Sequence, residues 1–596
     1  MPTSLRDPAV TAALDVKPAT RTVGGRRIDT PFASPADWRD VWIYFLLVDR
    51  FDNPGAPPRH PPYDRKELRY QGGTFRGILE RLPYLKKLGA GALWISPVLK
   101  NPPSFGDYYG GYATLDFLHV EPRFCSDFAA ASADPEVADR EFRDLVDAAH
   151  AAGLYVILDI VLNHTGDLFN YEGMRDDAPW KGEGPEYRIF WRDETGTPRG
   201  DWPDIGAVAG LSRDAGVWPS ELQRNDFFRR RGGGPGSPET AGDFGRLKDL
   251  VTEYLDPATG LYPLRSHLIR AYLYLISRFD LDGYRIDTLK YVEADFARVF
   301  GNAMREFALS IGKRNFFTFG EVWEEDDRKI VEFIGRDTEK DGELVGVDAA
   351  LDFPVFRRLS EVCKGRRPPR ELADFYDLRK RVQRSVVSSH GDASRFFVTF
   401  LENHDLDDRF YWRDPAGAFD RQATMALGCL FTLQGIPCLY YGAEQGLSGH
   451  GGPREAVREA LWGKPGAFDE RHPFYEVVQA LTRLRNENPA LRYGRQYFRP
   501  LSGDGVQFGY SPYAPGVLAF SRILNDREVL VVANAHTQER TAPHVLVDRQ
   551  LNPDGRSLRV AFSNRSAPVA PAPVATRAGN ATTQVTLDPM EIQVLV

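Results

Sequence analysis

Four short polar segments each close an apolar run: Asp159-Ile160-Val161-Leu162-Asn163-His164, Gly283-Tyr284-Arg285-Ile286-Asp287, Gly320-Glu321-Val322-Trp323 and Glu402-Asn403-His404-Asp405. A charged group at the end of a buried strand costs stability unless it is paired or used. One such segment alone reads as a strand terminator; four, far apart in the chain, point to side chains gathered for chemistry. Carboxyl groups dominate the set. Two of them suit acetal cleavage, in which one acid protonates the departing oxygen and the other carboxylate captures or stabilises an oxocarbenium-like centre. Arg285 and Asp287 are two residues apart on one strand and so share a face. The guanidinium is expected to lower the pKa of Asp287 and keep it ionised, as a nucleophile needs. Glu321 follows Phe316-Phe317-Thr318-Phe319 and stands beside Trp323, an apolar setting that raises a carboxyl pKa and suits a proton donor. Asp405, next to His404, adds a third carboxylate able to hold the ring being cleaved.

From Asp40 onward short apolar runs alternate with longer amphipathic stretches, the pattern of repeated β–α units. The runs are 41–48, 92–98, 154–162, 281–286, 316–322, 344–353, 396–401 and 437–441. Apolar residues at helical spacing mark 77–89, stopped by Gly89, and likewise 141–153 and 267–279. Eight strands alternating with helices predict an α/β fold, a (β/α)8 TIM barrel. Its active site then lies at the C-terminal ends of the strands, where the polar segments fall. The stretch 165–246 interrupts the third unit. It is rich in Gly, Trp, Arg and Asp and too long for a plain connection, so it reads as a small inserted subdomain of the B type overhanging the cleft. Past about residue 491, short alternating strands such as 517–520 and 528–532 indicate a C-terminal all-β sandwich. The expected order is an N-terminal extension over 1–37, polar and without pattern; barrel over 38–164; insertion over 165–246; barrel again over 247–491; and sandwich over 492–596.

Composition narrows the partners. The 596 residues carry 75 Lys and Arg against 83 Asp and Glu, a net charge of −8, with no basic block longer than Arg229-Arg230-Arg231. That balance disfavours nucleic acid, which wants a basic surface, and leaves neutral ligands open. The four cysteines form no C-x-x-C pair, so neither a zinc knuckle nor a redox motif is indicated, and Cys429 and Cys438 read as buried thiols. The first residues lack the layout of a secretory leader and the longest early apolar run is too short to span a bilayer, so no membrane association and a cytoplasmic location are expected. No tryptophan follows Trp462, so the C-terminal region offers no paired-tryptophan platform and a packing role is expected of it.

Taken in order, the four segments resemble the signature regions of the α-amylase family (glycoside hydrolase clan H). Asp49-Arg50-Phe51, Gly91-Ala92-Leu93-Trp94-Ile95-Ser96-Pro97-Val98 and Gly435-Ile436-Pro437-Cys438-Leu439-Tyr440-Tyr441-Gly442 are similar to the family's first, second and eighth strands. The resemblance implies a retaining α-glycosidase acting on an oligo- or polysaccharide, with Asp287 as nucleophile, Glu321 as general acid/base and Asp405 binding ring hydroxyls. Arg285 would orient Asp287, His164 and His404 would hydrogen-bond the sugar, and Tyr112 would stack under it. Two positions depart from the family. Gly110 stands where members often have histidine, and Lys290-Tyr291 replaces the usual Lys-His pair, leaving Lys290 to line the leaving-group side or to start a helix.

The resemblance extends to a structural calcium with Asn163 and Asp249 as side-chain ligands, Tyr291 offering only its carbonyl. Two side-chain oxygens fall short of the about 6–8 ligands such an ion takes, and both residues could instead cap loops. For substrate, α-1,4-glucans or maltooligosaccharides head the expectations. A transglycosylase, or an enzyme specific for a disaccharide of the trehalose or sucrose type, shares every catalytic residue. Glu321-Val322-Trp323 resembles depolymerising members more than sucrose-specific ones. An inactive binding or scaffold barrel is disfavoured, because all three carboxylates persist with Arg285 and both histidines.

Overall fold

The structure is a computed structural model and describes residues 2–60, 69–103, 111–173, 176–335, 346–382, 395, 397–449 and 454–596. Eight parallel strands close into a barrel: β1 (Ile43–Leu46), β2 (Ala92–Ile95), β3 (Tyr155–Val161), β4 (Gly283–Asp287), β5 (Phe317–Gly320), β6 (Ala349–Leu351), β7 (Phe397–Thr399) and β8 (Ile436–Tyr440). Each strand pairs with the next in the chain, and β8 returns to β1. Each of the eight apolar runs overlaps one of these strands; residues 344 and 345 of the sixth run and 396 of the seventh lie outside the described residues. Almost every strand residue is buried, because a parallel barrel covers both faces of its sheet and leaves no polar side to alternate with.

The helices follow from local signals. In α1 (Phe75–Leu88) the Thr74 side chain accepts from Gly77 N at the start, and Gly89 ends the helix at φ 102°, a left-handed geometry that glycine adopts without strain. In α2 (Pro135–Ala151) Asp134 caps a proline-led first turn. The third, α3 (Pro263–Phe279), precedes β4 and carries Tyr272, whose carbonyl receives the Tyr284 hydroxyl at 2.7 Å. That contact fixes the outward face of β4. By alternation Arg285 and Asp287 then point inward.

The N-terminal stretch, without pattern in the sequence, is nonetheless regular in structure. It holds a helix, Pro8–Leu14, and a hairpin, Ala19–Val23 with Arg26–Thr30, turning at Gly24 and Gly25 with φ of 54° and 80°. Its strands are mostly exposed, so no apolar alternation betrays them. The stretch is pinned to the barrel by Arg270 Nε to Leu5 O at 2.9 Å, Arg21 to Asp147 at 2.9 Å and Lys313 Nζ to Phe32 O at 3.1 Å.

Between β3 and α3 the inserted subdomain forms a three-stranded antiparallel sheet, Phe169–Tyr171, Ile189–Arg192 and Pro198–Asp201. It rejoins the barrel where Lys248–Asp249 pairs antiparallel with His164–Thr165. The C-terminal region is a sandwich of two five-stranded antiparallel sheets. The sheet nearer the barrel contributes Leu518, Phe520, Val531, Ile592 and Val594 to the same hydrophobic cluster as the barrel helices. From it the buried Arg522 donates to Thr432 O at 2.9 Å and Gly494 O at 2.9 Å. All four cysteines are buried. Among the described residues no helix is long and apolar enough to cross a membrane.

Candidate active site

Beneath the strand ends lies an aromatic floor. Phe45 on β1 stacks on Trp94 of β2 with centroids 3.6 Å apart, and Trp94 meets Phe319 of β5 edge-on at 5.3 Å. Arg285 lies 5.3 Å over Trp94. The parallel register sets Arg285 opposite Asp159 on β3, and the guanidinium, fully buried, collects three carboxylates. Its Nη1 donates to both Asp159 oxygens at 2.9 and 3.1 Å and to Asp287 Oδ1 at 2.8 Å. Its Nη2 lies 3.0 Å from Glu321 Oε2 yet makes no hydrogen bond there. Thr288 ties the last two together, its backbone N–H donating to Glu321 Oε2 at 3.0 Å and its hydroxyl to Asp287 Oδ2 at 3.1 Å.

Charge is crowded here. Burial pushes Asp287 up to about 6 against the pull of Arg285, so the pKa lowering expected from the sequence is overturned: desolvation and the neighbouring Asp159 and Asp405 outweigh one guanidinium. Burial likewise pushes Glu321 up to about 7 and Asp159 up to about 7. The donors rank the three. Asp159 accepts from Arg285 twice, from Trp94 Nε1 at 3.1 Å and from the Tyr112 hydroxyl at 3.2 Å. Asp287 accepts from Arg285 and Thr288, Glu321 from the Thr288 N–H. Hydrogen bonds to the ionised form favour it, so a proton shared by the cluster rests best on Glu321.

Above the carboxylates opens a cavity of about 1090 Å³ lined by Tyr112, His164, Asp287, Lys290, Glu321 and Asp405 among others. Six of the eight residues expected to be catalytic or to bind substrate thus share one wall. The other two, Arg285 and His404, sit behind it. His404 is buried, with Nε2 2.5 Å from the Tyr112 hydroxyl and 3.3 Å from Asp405 Oδ2. His164 reaches Tyr112 O at 3.2 Å through Nε2, and burial pushes its pKa down to about 4, leaving it neutral. Lys290 stands between Glu324 at 3.1 Å and Glu239 of the inserted subdomain at 3.3 Å. Gly110 lies outside the described residues.

Some members of the site escape a sequence reading. Arg458, in the loop after β8, pairs with Asp405 Oδ1 at 2.8 Å and donates to His404 O at 2.8 Å; nothing in its neighbours marks it. Phe244 and Glu239 reach the cavity from the inserted subdomain, and only folding that segment places them there. Asp159 and Trp94 stood in motifs already noted, and their role needed the barrel register.

The two candidate calcium ligands are adjacent in space but do not fit an ion. The Asn163 amide oxygen lies against the Thr288 hydroxyl and 2.8 Å from His164 Nδ1, and the Asp249 carboxylate is paired with Arg229 Nε at 3.0 Å. Among the described residues no three His, Cys, Asp or Glu side chains gather to hold a metal.

Comparison with known proteins agrees with this architecture. Residues 45–461 match the family described as "Alpha amylase, catalytic domain". The chain is 29% identical over 497 residues to an α-amylase of Streptomyces lividans, covering 76% of this chain and 49% of that one. It is 27% identical to a cyclomaltodextrin glucanotransferase of Paenibacillus macerans, covering 80% and 58%. It therefore spans about half the length of these curated relatives. Among solved structures, an α-amylase from Geobacillus thermoleovorans complexed with acarbose superposes with a TM-score of 0.61 at 24% identity, covering 94% of this chain and 99% of that one. The matched segment begins within β1 and ends just beyond Arg458, so it encloses every carboxylate gathered around the cavity, and the chain belongs to the α-amylase family.

Proposed function

We propose that the chain is a retaining glycoside hydrolase that cleaves α-1,4-glucans or maltooligosaccharides by double displacement. The observation that carries this reading is the placement of Asp287 and Glu321 on one guanidinium and one threonine at the floor of a cavity large enough for several sugar rings. Asp287, ionised, attacks the anomeric carbon while Glu321 protonates the departing glycosidic oxygen. The product is a covalent β-glycosyl ester on Asp287. Glu321, now a carboxylate, takes a proton from water as that water attacks the ester, and the α-anomer leaves. Asp405, held by Arg458, binds ring hydroxyls. Relatives named as α-amylases, one of them in a structure with acarbose bound, support the substrate class.

Transfer to a second sugar is the other reading. It is supported by cyclomaltodextrin glucanotransferases among the relatives and by Phe244 and Tyr291, packed edge-on at 4.6 Å on the cavity wall, where an acceptor ring could rest. Maltoheptaose separates the two. Hydrolysis yields only shorter sugars, glucose and maltose at the end, released first as α-anomers by proton NMR. Products longer than seven units would assign transfer, and a β-anomer would overturn retention.

The two assigned roles also set the pH profile. Activity needs Asp287 ionised and Glu321 protonated. As pH falls through about 6 Asp287 takes up a proton, and as pH rises through about 7 Glu321 loses one. The expected kcat/KM profile is a narrow bell with its maximum between those limits. A profile flat across pH 5–9 (roughly the span of both limbs) would contradict the assignment.

A further inference from the structure

The junction where the inserted subdomain rejoins the barrel is built around a side chain. Asp249 is 4% exposed and lies in antiparallel register with His164, while Leu250 N donates to Asn163 O at 2.8 Å. A buried carboxylate in such a seam needs a cation close by. Arg229 supplies one. Its backbone N–H donates to Asp249 O at 3.1 Å, its Nε donates to Asp249 Oδ2 at 3.0 Å, its Nη1 to Glu253 Oε1 at 2.5 Å and its Nη2 to Thr240 O at 3.3 Å. Two carboxylates and a carbonyl thus converge on one positive centre, the oxygen set that a hard divalent ion would otherwise collect. Asn163, the other expected ligand, packs its amide oxygen against the Thr288 hydroxyl and the His164 ring. A second fixed cation, the fully buried Lys248, stands 3.7 Å from both Asp167 and Asp243 on the neighbouring side of the seam. A dication placed among these groups would meet two positive charges at short range.

We propose that Arg229 replaces a divalent cation at this junction, so that the inserted subdomain is fastened to the end of β3 without calcium. The guanidinium does from a tether what an ion does by diffusion. It joins the Asp249–Glu253 segment, which itself pairs with the strand end bearing His164, to the loop at Thr240, which continues into Glu239 and Phe244 on the cavity wall. Arg229 is thereby a positioning residue for that wall. The inference does not lean on the reaction proposed above, because its test reads stability and metal content.

The test uses the full chain. Protein purified in the presence of calcium chloride and then desalted is expected to hold far less than one calcium per chain by elemental analysis. Its Tm should be the same, within about 1 °C, in millimolar EDTA and in millimolar calcium chloride. Arg229→Met keeps the length and removes the charge, so its Tm should fall by about 2–4 °C. Calcium chloride should return part of that loss, since the oxygens are then left without a cation. Arg229→Lys should lie between the two. Stoichiometric calcium in the wild type, or a fall of several degrees in its Tm with EDTA, would overturn the proposal. So would an Arg229→Met protein as stable as the wild type, or one whose loss calcium does not touch. Should Arg229→Met not fold, Arg229→Gln, which retains one donor toward Asp249, carries the same comparison.

Discussion

Changing Asp287 to asparagine is expected to lower kcat/KM on maltooligosaccharides by about 10⁴–10⁶-fold. An amide cannot form the glycosyl ester, and among the described residues no other carboxylate stands in its place: Asp159 is held by Arg285, Trp94 and Tyr112 beneath the wall, and Asp405 by Arg458. The shape of asparagine is that of aspartate, so the fold should persist. Loss of one negative charge from the cluster should even lower the pKa of Glu321, which Asp287 raises. Intact mass after reaction with a fluorinated glycosyl fluoride is the direct readout. The wild type should gain one glycosyl unit, mapped by proteolysis to the peptide carrying Asp287, and the variant none. An adduct on another residue, or a variant with near-wild-type turnover, would remove Asp287 from its role.

Glu321→Gln is the second large effect, and its signature is different. With a sugar leaving group kcat/KM should fall by about 10³–10⁴-fold, because nothing protonates the departing oxygen. With a fluoride or nitrophenolate leaving group the first step needs little help from a proton, so it should stay comparatively fast while hydrolysis of the ester becomes limiting. A burst of released leaving group should then appear. Azide, which attacks without a general base, should accelerate the slow step and yield an α-glycosyl azide. The limb of the pH profile that falls above about 7 should vanish with the carboxyl group that produces it. Equal losses on activated and unactivated substrates would instead mark Glu321 as structural.

The barrel was legible because burial on both faces writes each strand as an unbroken apolar run, and even the short β6 lay within the run 344–353. The carboxylates that the fold gathers around the cavity were legible for the same reason, since a charge ending such a run is conspicuous. What escaped depended on partners far apart in the chain. Arg458 matters only because the loop after β8 folds over Asp405, and Arg229 only because the inserted subdomain returns to the end of β3. The direction of the Asp287 shift was missed because spacing shows the arginine two residues away and not the water removed by the fold, nor Asp159 and Asp405 brought alongside. The N-terminal hairpin was missed because its strands bury too little to leave a pattern.

The sheet that shares its apolar side chains with the barrel helices has a bearing on how the molecule comes apart. Ile592 and Val594 lie on the last strand described and share one apolar cluster with the barrel helices, while Arg522 satisfies the carbonyl of Thr432 at the end of a barrel helix. Melting the C-terminal strands first would strip that helix of its cover, so barrel and sandwich are expected to unfold as one cooperative unit, with a single transition by calorimetry and a lower Tm when the last strand is trimmed.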